Sequence, residues 1–491
     1  MTNIFKTQTL VIGAGSAGLT TAIGLAKVGY KVIIVEKEYI GGDCTHFGCV
    51  PSKALLYRAK KFAEFKAYNQ KLNLKVSQDI LEQRATAILN EVREVVWKFA
   101  QHESVSWLEE YGVKVISGEA KFENTQTILV KNIKSEQTSE EFKIEKQVQI
   151  KFDKCVICTG STTRIPDIQG LTSGKDNQEK PKYLTNKTVF KLQKVPKSIT
   201  IIGNGAIGTE LSEAFLNLGA KVNLIGKSQT ILPRSENSLA QELQSLLVAK
   251  GLNYLTLNVK EVYQDKDGFT LNLEQGKKFK SEQLLIATGR QPNLPEGLES
   301  AKVEYTDTGI VCNNKGQTSN SNIYVAGDIA ANYPNFTHYA DHMGGVITTN
   351  LAIQKYTKLP INPIKFESRV VPSIIFTTPE LAACGLTEME AIQKYGKQKV
   401  SVFIFNFNDL DRAKTQQKEQ GRIQLVTIGF FSRIVGVHIL ASRAGEILPE
   451  LQRMVKNKST LFALNKIIRA YPSYTANLSS LFKEWLASKI K

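Results

Sequence analysis

The chain has 491 residues, with 63 basic against 46 acidic side chains for a formal charge of +17, and 42% of its residues are hydrophobic. That length calls for two to four domains, and the composition is that of a soluble globular protein with a large core. The basic residues are scattered rather than gathered into one arm or stripe, which favours a lysine-rich solvated surface over nucleic-acid binding.

The first apolar run, at residues 9–12, leads straight into a glycine loop with no cleavage site. No run reaches the ~18 apolar residues that a membrane span requires. A cytoplasmic protein with no membrane segment is expected. Residues 9–36 read as strand, glycine loop, helix and strand, the opening of a Rossmann unit with Gly13, Gly15 and Gly18 in its loop. The first glycine permits the turn, the second lets backbone approach a pyrophosphate, and the third lets helix pack on strand. Glu36, 21 residues after Gly15, stands where a carboxylate accepts both hydroxyls of an unphosphorylated adenosine ribose, as in FAD.

Next come Gly41, Gly42, Asp43 and Cys44, then Cys49 five residues on, opening a helical stretch at 53–100. Two cysteines so placed suit a small redox-active disulfide, with the helix end favouring the thiolate of Cys49. Zinc is the competing reading, with His46 as its third ligand; His46 as a local base is a further one. Residues 118–152 alternate in the manner of a solvent-facing antiparallel sheet. Cys155 and Cys158 read as buried small hydrophobes on a strand, and 174–182 as a polar loop near a domain border.

Residues 198–226 repeat the first pattern, with Gly203, Gly205 and Gly208 in the loop. At the position matching Glu36 stands Gly226, followed by Lys227. A small residue and a cation accommodate a 2′-phosphate, so this site leans to NADPH over NADH. His338 and His342, four apart, have a metal-ligand spacing without a third ligand, so no metal site is expected. From residue 366 strands and longer helices follow without a glycine loop, which marks a separate C-terminal domain.

Together these motifs identify the chain as a member of the class I pyridine nucleotide–disulfide oxidoreductases, whose members include dihydrolipoamide dehydrogenase, glutathione reductase and mercuric reductase. The cysteine motif resembles the mercuric-reductase-like branch. Residues 156–160, with Thr159 and Gly160, and 286–293, with Gly289, resemble the family's two crossover motifs. Residues 318–328 resemble its second flavin motif, ending in Asp328, and 376–388 the start of its dimerisation domain. The resemblance implies an α/β fold of two Rossmann-like dinucleotide-binding domains plus an α+β C-terminal dimerisation domain. It divides the chain into an FAD domain at 1–165 and 289–365, an NAD(P) domain at 166–288 and a dimerisation domain at 366–491. The cofactors implied are FAD and NADP, with NAD possible, in a homodimer whose active sites are shared between subunits.

The resemblance also implies hydride transfer from nicotinamide to flavin and then reduction of a Cys44–Cys49 disulfide. Cys49 would lie against the flavin, Cys44 would meet the acceptor, and Lys53 and Glu210 would pair beside the ring. Where disulfide reductases carry a histidine base this chain has Tyr471, and Ala476 stands in place of the orienting glutamate. The C-terminal cysteine pair and the N-terminal metal-binding domain of mercuric reductase proper are likewise not expected here. The expected acceptor is therefore a thiophilic metal ion, a disulfide or a quinone-like oxidant. Other readings are a dihydrolipoamide-dehydrogenase-type reductase and a redox-sensing flavoprotein with little turnover.

Overall fold

A computed structural model describes residues 3–143, 145–171, 182–357 and 362–490. Of the loop expected at 174–182 only Lys182 lies within the described residues. The first glycine unit forms as expected, from strand Asn3–Ile12 through helix Ser16–Lys27 to strand Val32–Glu36. The first strand is apolar and buried over its last residues and the second over Val32 to Val35, the pattern of parallel strands covered on two faces. Their sheet runs Val113–Ser117, Val32–Glu36, Asn3–Ile12, Val148–Ile157, Thr127–Lys131, Glu119–Asn124.

Strand Val148–Ile157 joins the two halves of that sheet. Its first residues pair antiparallel with Thr127–Lys131, while Cys155, Val156 and Ile157 pair parallel with Ile323, Tyr324 and Val325. The second flavin motif is thereby brought beside the first glycine loop from more than 300 residues away in sequence. The antiparallel part matches the alternation in 118–152, and its exposed positions include Lys151 and Asp153. The single helical stretch expected at 53–100 is two helices, Cys49–Lys71 and Gln78–His102. The first ends at Lys71, followed by Asn73 at φ +53°, and Ser77 starts the second: its backbone is extended and its hydroxyl accepts from Ile80 N as the N-cap.

The second unit is strand Ser198–Ile202, helix Ala206–Leu218 and strand Lys221–Gly226 in a four-stranded parallel sheet. A three-stranded antiparallel sheet, Val259–Asp265, Gly268–Leu273 and Lys278–Ser281, covers it. The C-terminal part is a five-stranded antiparallel sheet with helix Ala444–Lys456 laid on it. Helix Ala206–Leu218 is stitched to this part by two carboxylates. Glu210 accepts from Phe376 N at 2.9 Å, and Glu213 accepts from Thr378 N at 2.8 Å. No described helix is long and apolar enough to cross a membrane.

Candidate active site

The site begins at the first glycine loop. Gly13 has φ +100°, and a Cβ there would run into the Cys158 carbonyl; a Cβ on Gly18 would run into the carbonyl of Gly13. Gly15 caps helix Ser16–Lys27 without any side-chain bond, so the first N–H groups of the helix are left for a ligand. Gly42 packs on this turn with φ +62°, and a Cβ there would come 2.8 Å from Gly15 Cα. Glu36 ends its strand accepting from Ala14 N and Glu38 N, each at 2.6 Å. Burial pushes its carboxyl up from the usual range, against those hydrogen bonds.

Glu36 also lines a cleft of about 590 Å³, together with Tyr39, His46, Glu103 and Ser117. One carboxylate oxygen of Glu103 is buried without a partner. Apart from that cleft, Ser161 donates to Asp328 at 2.6 Å, and Arg290 approaches the same oxygen at 3.6 Å. The helix N-terminus at Gly15, the Glu36 carboxylate at the end of its strand and the Asp328 carboxylate are chemically suited to the pyrophosphate, ribose and ribityl parts of FAD. The two crossover motifs meet here. Thr159 Oγ1 donates to the Asn293 carbonyl at 2.7 Å, and Asn293 N donates to that of Gly160 at 3.0 Å. Arg290, one residue after Gly289, also pairs with Asp43 at 3.0 Å, and Asn186 holds the same Asp43 carboxylate at 2.9 Å.

Cys44 lies in the short helix Gly42–His46, and Cys49 is the first residue of helix Cys49–Lys71. Both are thiols here, and they interact unequally: Cys44 keeps the proton and donates it in a hydrogen bond toward the Cys49 sulfur. That bond pulls the Cys49 thiol down to about 6, helped by Thr337 and Lys53 and opposed by burial and Glu210. The same bond, then burial, pushes Cys44 far above the ordinary thiol range. Thr337 Oγ1 sits 3.3 Å from Cys49 Sγ, at the start of helix Thr337–Tyr356. Lys53, one turn beyond Cys49, bonds both oxygens of Glu210 at 2.8 and 3.1 Å, and its ammonium lies 4.6 Å from the centre of the Phe376 ring. The Glu210 side chain is only 5% exposed while that of Lys53 is 36% exposed, so it is the carboxylate that depends on the pairing for its lost water.

At the second loop Gly203 has φ +120°, with the Ala287 carbonyl where a Cβ would go, and Gly208 packs against Gly203. Gly205 has open space around it. Gly226 is close against the Asn204 side chain, whose amide donates to Ser228, Thr230 and Tyr254. Lys227 is exposed at the end of that strand.

The remaining candidates fall outside this cluster. His46 bonds the Ile40 carbonyl at 2.8 Å and stacks near Tyr39, so one ring nitrogen is committed to backbone away from the thiols. His338 bonds the Pro372 carbonyl, and His342 accepts from Glu367 N, so the i, i+4 pair serves loop structure. Tyr471 is in the C-terminal part, 71% exposed, with its hydroxyl donating to Asp411 at 2.9 Å and not to a thiol of its own chain. Sequence reasoning missed Thr337, Arg290, Asp43, Asn186 and Asp411. Arg290 lies in the second crossover motif and Asp43 in the cysteine motif, so a signal for both was present; Thr337, Asn186 and Asp411 make contacts between distant segments with no spacing to betray them.

The geometry agrees with comparisons to known proteins. Residues 7–344 match the family model described as pyridine nucleotide-disulphide oxidoreductase, and 371–481 match the dimerisation domain of the same family. A mercuric reductase of Lysinibacillus sphaericus is 31% identical over 94% of this chain and 79% of its own length. A dihydrolipoyl dehydrogenase of Bacillus subtilis is 29% identical over 95% of this chain and 94% of its own. Among solved structures, the Cu(II) complex of the HOCl-induced flavoprotein disulfide reductase RclA from Escherichia coli has the same fold. It has a TM-score of 0.81 at 23% identity and covers 98% of this chain and 99% of the other.

Proposed function

This chain belongs to the class I pyridine nucleotide–disulphide oxidoreductases, NAD(P)H-dependent flavoenzymes, and on that premise we propose that it passes electrons through Cys44 and Cys49 to a thiophilic metal ion. A disulfide or quinone-like oxidant is the alternative acceptor, and NADPH the preferred donor. The observation that carries this reading is the hydrogen-bonded thiol pair at the opening of a helix, with the Lys53–Glu210 pair one turn away. The division into an FAD domain at 1–165 and 289–365, a nucleotide domain at 166–288 and a dimerisation domain at 366–491 is part of the same reading. So is a homodimer in which Tyr471 of the partner subunit completes each site. The domain division is supported by the change of sheet at each border.

Bound FAD would be held by the loop of Gly13, Gly15 and Gly18, by Glu36, Gly42, Thr159 and Gly160, and by Asp328, and it would supply the two-electron relay between nicotinamide and disulfide. The chain's own residues do the rest. Cys49, with its low pKa, holds a thiolate at neutral pH, which Thr337 and Lys53 stabilise. Cys44 keeps its proton on the other sulfur and offers the more basic, more nucleophilic thiolate once that proton leaves. Lys53 fixes a positive charge beside the thiolate, and Glu210, bonded also to Phe376 N, fixes Lys53. Gly203, Gly205 and Gly208 admit the nucleotide pyrophosphate, with Gly289 in the crossover beside them, and Lys227 faces its ribose phosphate.

The metal reading rests on the proton chemistry. Disulfide interchange needs a proton acceptor and donor, worth on the order of 10²–10⁴-fold. The phenol of Tyr471 stays protonated at neutral pH, since its bond to Asp411 raises its pKa above the ordinary value, so no phenolate is on hand to take a proton. A metal bound by two thiolates needs no such relay. NADPH oxidation measured with Hg(II), Cu(II), lipoamide and glutathione disulfide on the FAD-loaded enzyme decides the matter. Hg(II) or Cu(II) is expected to turn over well above both disulfides. Lipoamide turnover at roughly 10²–10³ s⁻¹, the upper range for ordinary enzymes, would overturn the metal reading.

A further inference from the structure

We propose that Asp411 is the positioning residue of Tyr471, restoring from a distant part of the chain the carboxylate that position 476 lacks, and that it turns the phenol into an acceptor-only contact for a cationic acceptor. The inference rests on the reading of Tyr471 as an acceptor-facing residue and deepens it. The segment carrying Tyr471 is docked twice onto one stretch of chain. Tyr471 Oη donates to Asp411 Oδ2 at 2.9 Å, and Tyr474 Oη donates to Gln416 at 2.7 Å. Asp411 and Gln416 bracket the short helix Asp411–Thr415, so the two phenols grip its two ends. Tyr474 is buried at 8% exposure and packs on Phe407, which anchors the segment, while Tyr471 stands at 71% exposure. One tyrosine holds and the other presents.

The direction of the bond sets the chemistry. A phenol has one proton to give, and here a carboxylate, which can only accept, takes it. The lone pairs of Oη are then all that Tyr471 offers outward. It can accept from a protonated thiol or contact a metal cation, but it has no free proton for a departing thiolate. The carboxylate adds negative charge behind the phenol. The charge is offset only in part by Lys414, whose ammonium is 3.8 Å from the other oxygen of Asp411. A histidine–glutamate dyad would act the opposite way, as a proton carrier. The arrangement therefore favours a cationic thiophile over a neutral or anionic disulfide.

The test uses the full-length, FAD-loaded protein with Asp411→Asn, Asp411→Glu, Tyr471→Phe and the Asp411→Asn/Tyr471→Phe double variant. Two readouts are taken. One is the titration of Tyr471 by NMR of ¹³Cζ-labelled tyrosine, its resonance assigned by loss in Tyr471→Phe. The other is kcat/KM for Hg(II), supplied with excess thiol, against dye reduction. In the native protein Tyr471 titrates above the ordinary tyrosine value of ~10, and Asp411→Asn brings it back toward that value. Asp411→Asn also lowers kcat/KM for Hg(II) by roughly three- to tenfold, with a smaller fall in dye reduction, and Asp411→Glu recovers part of it. The double variant is no worse than Tyr471→Phe alone, as expected of two groups acting as one unit.

Additive losses in the double variant, or an unshifted titration in Asp411→Asn, would overturn the pairing. A shifted titration with Hg(II) turnover intact in Tyr471→Phe would instead leave the pairing in place and overturn the acceptor-facing role of Tyr471.

Discussion

At the scale of single residues the account turns on one sulfur. Cys49 is held near 6 chiefly by the hydrogen bond from Cys44, then by Thr337 and Lys53. The thiolate is the reactive form, so alkylation of Cys49 in the reduced protein is predicted to be fast above about pH 6 and to fall as pH drops through it. Thr337→Val removes one stabilising bond, so its alkylation midpoint moves to higher pH; iodoacetamide rates from pH 5 to 9, with peptide mapping, measure it. A midpoint unchanged in Thr337→Val would mean that the threonine lies near the sulfur without acting on it. The pairing of the two cysteines was legible in the sequence because they stand five positions apart at a helix opening. Thr337 was not, since it lies 288 residues from Cys49 and hydroxyl contacts of that kind leave no pattern.

Lys227 belongs to the same scale. A charge-assisted contact to a 2′-phosphate is worth about 1.5–3 kcal/mol, so Lys227→Ala is expected to lower the NADPH preference by roughly tenfold or more. Comparing kcat/KM for NADPH and NADH checks it, and a native enzyme that uses both equally contradicts the assignment. Replacing Gly226 is a less clean probe than it looks from sequence, because a side chain there collides with Asn204 and its three hydrogen bonds.

At the scale of elements, the two glycine loops were readable because strand, loop and helix each impose a spacing, and the spacings agree. The structure separates the roles of those glycines. Gly208 is needed for helix to meet strand, while Gly205 has no protein neighbour within reach of a Cβ. Gly205→Ala is therefore predicted to fold with Tm within a few degrees of native and to raise KM for the nucleotide. Gly208→Ala is predicted to lower Tm or fail to fold. Thermal unfolding beside steady-state kinetics separates the two, and a Gly205→Ala protein with native KM would remove the loop from the nucleotide site. The helical stretch after Cys49 was read as one element because its apolar period hardly breaks. The break after Lys71 and the restart capped by Ser77 depend on local backbone and a single cap, and boundaries of that kind are the weakest part of a pattern reading.

At the scale of the whole molecule, one strand and one helix explain why distant segments form a single site. Strand Val148–Ile157 carries the first crossover motif to the first glycine loop and pairs with Ile323–Val325, which delivers Asp328. Helix Ala206–Leu218 reaches from the nucleotide loop to Lys53 and to the backbone of the C-terminal part. These long connections were expected only through family resemblance, because parallel pairing across hundreds of residues has no local signature. The central claim is that electrons pass through this assembled centre by way of Cys49. Anaerobic two-electron reduction of the FAD-loaded protein at pH 8, followed by visible absorbance, tests it most directly. The account predicts a long-wavelength thiolate-to-flavin charge-transfer band in the native protein and in Cys44→Ser. It predicts no band in Cys49→Ser, and a band that fades below about pH 6 as the thiolate takes up its proton. A native protein with bound FAD and no such band at pH 8 would contradict it.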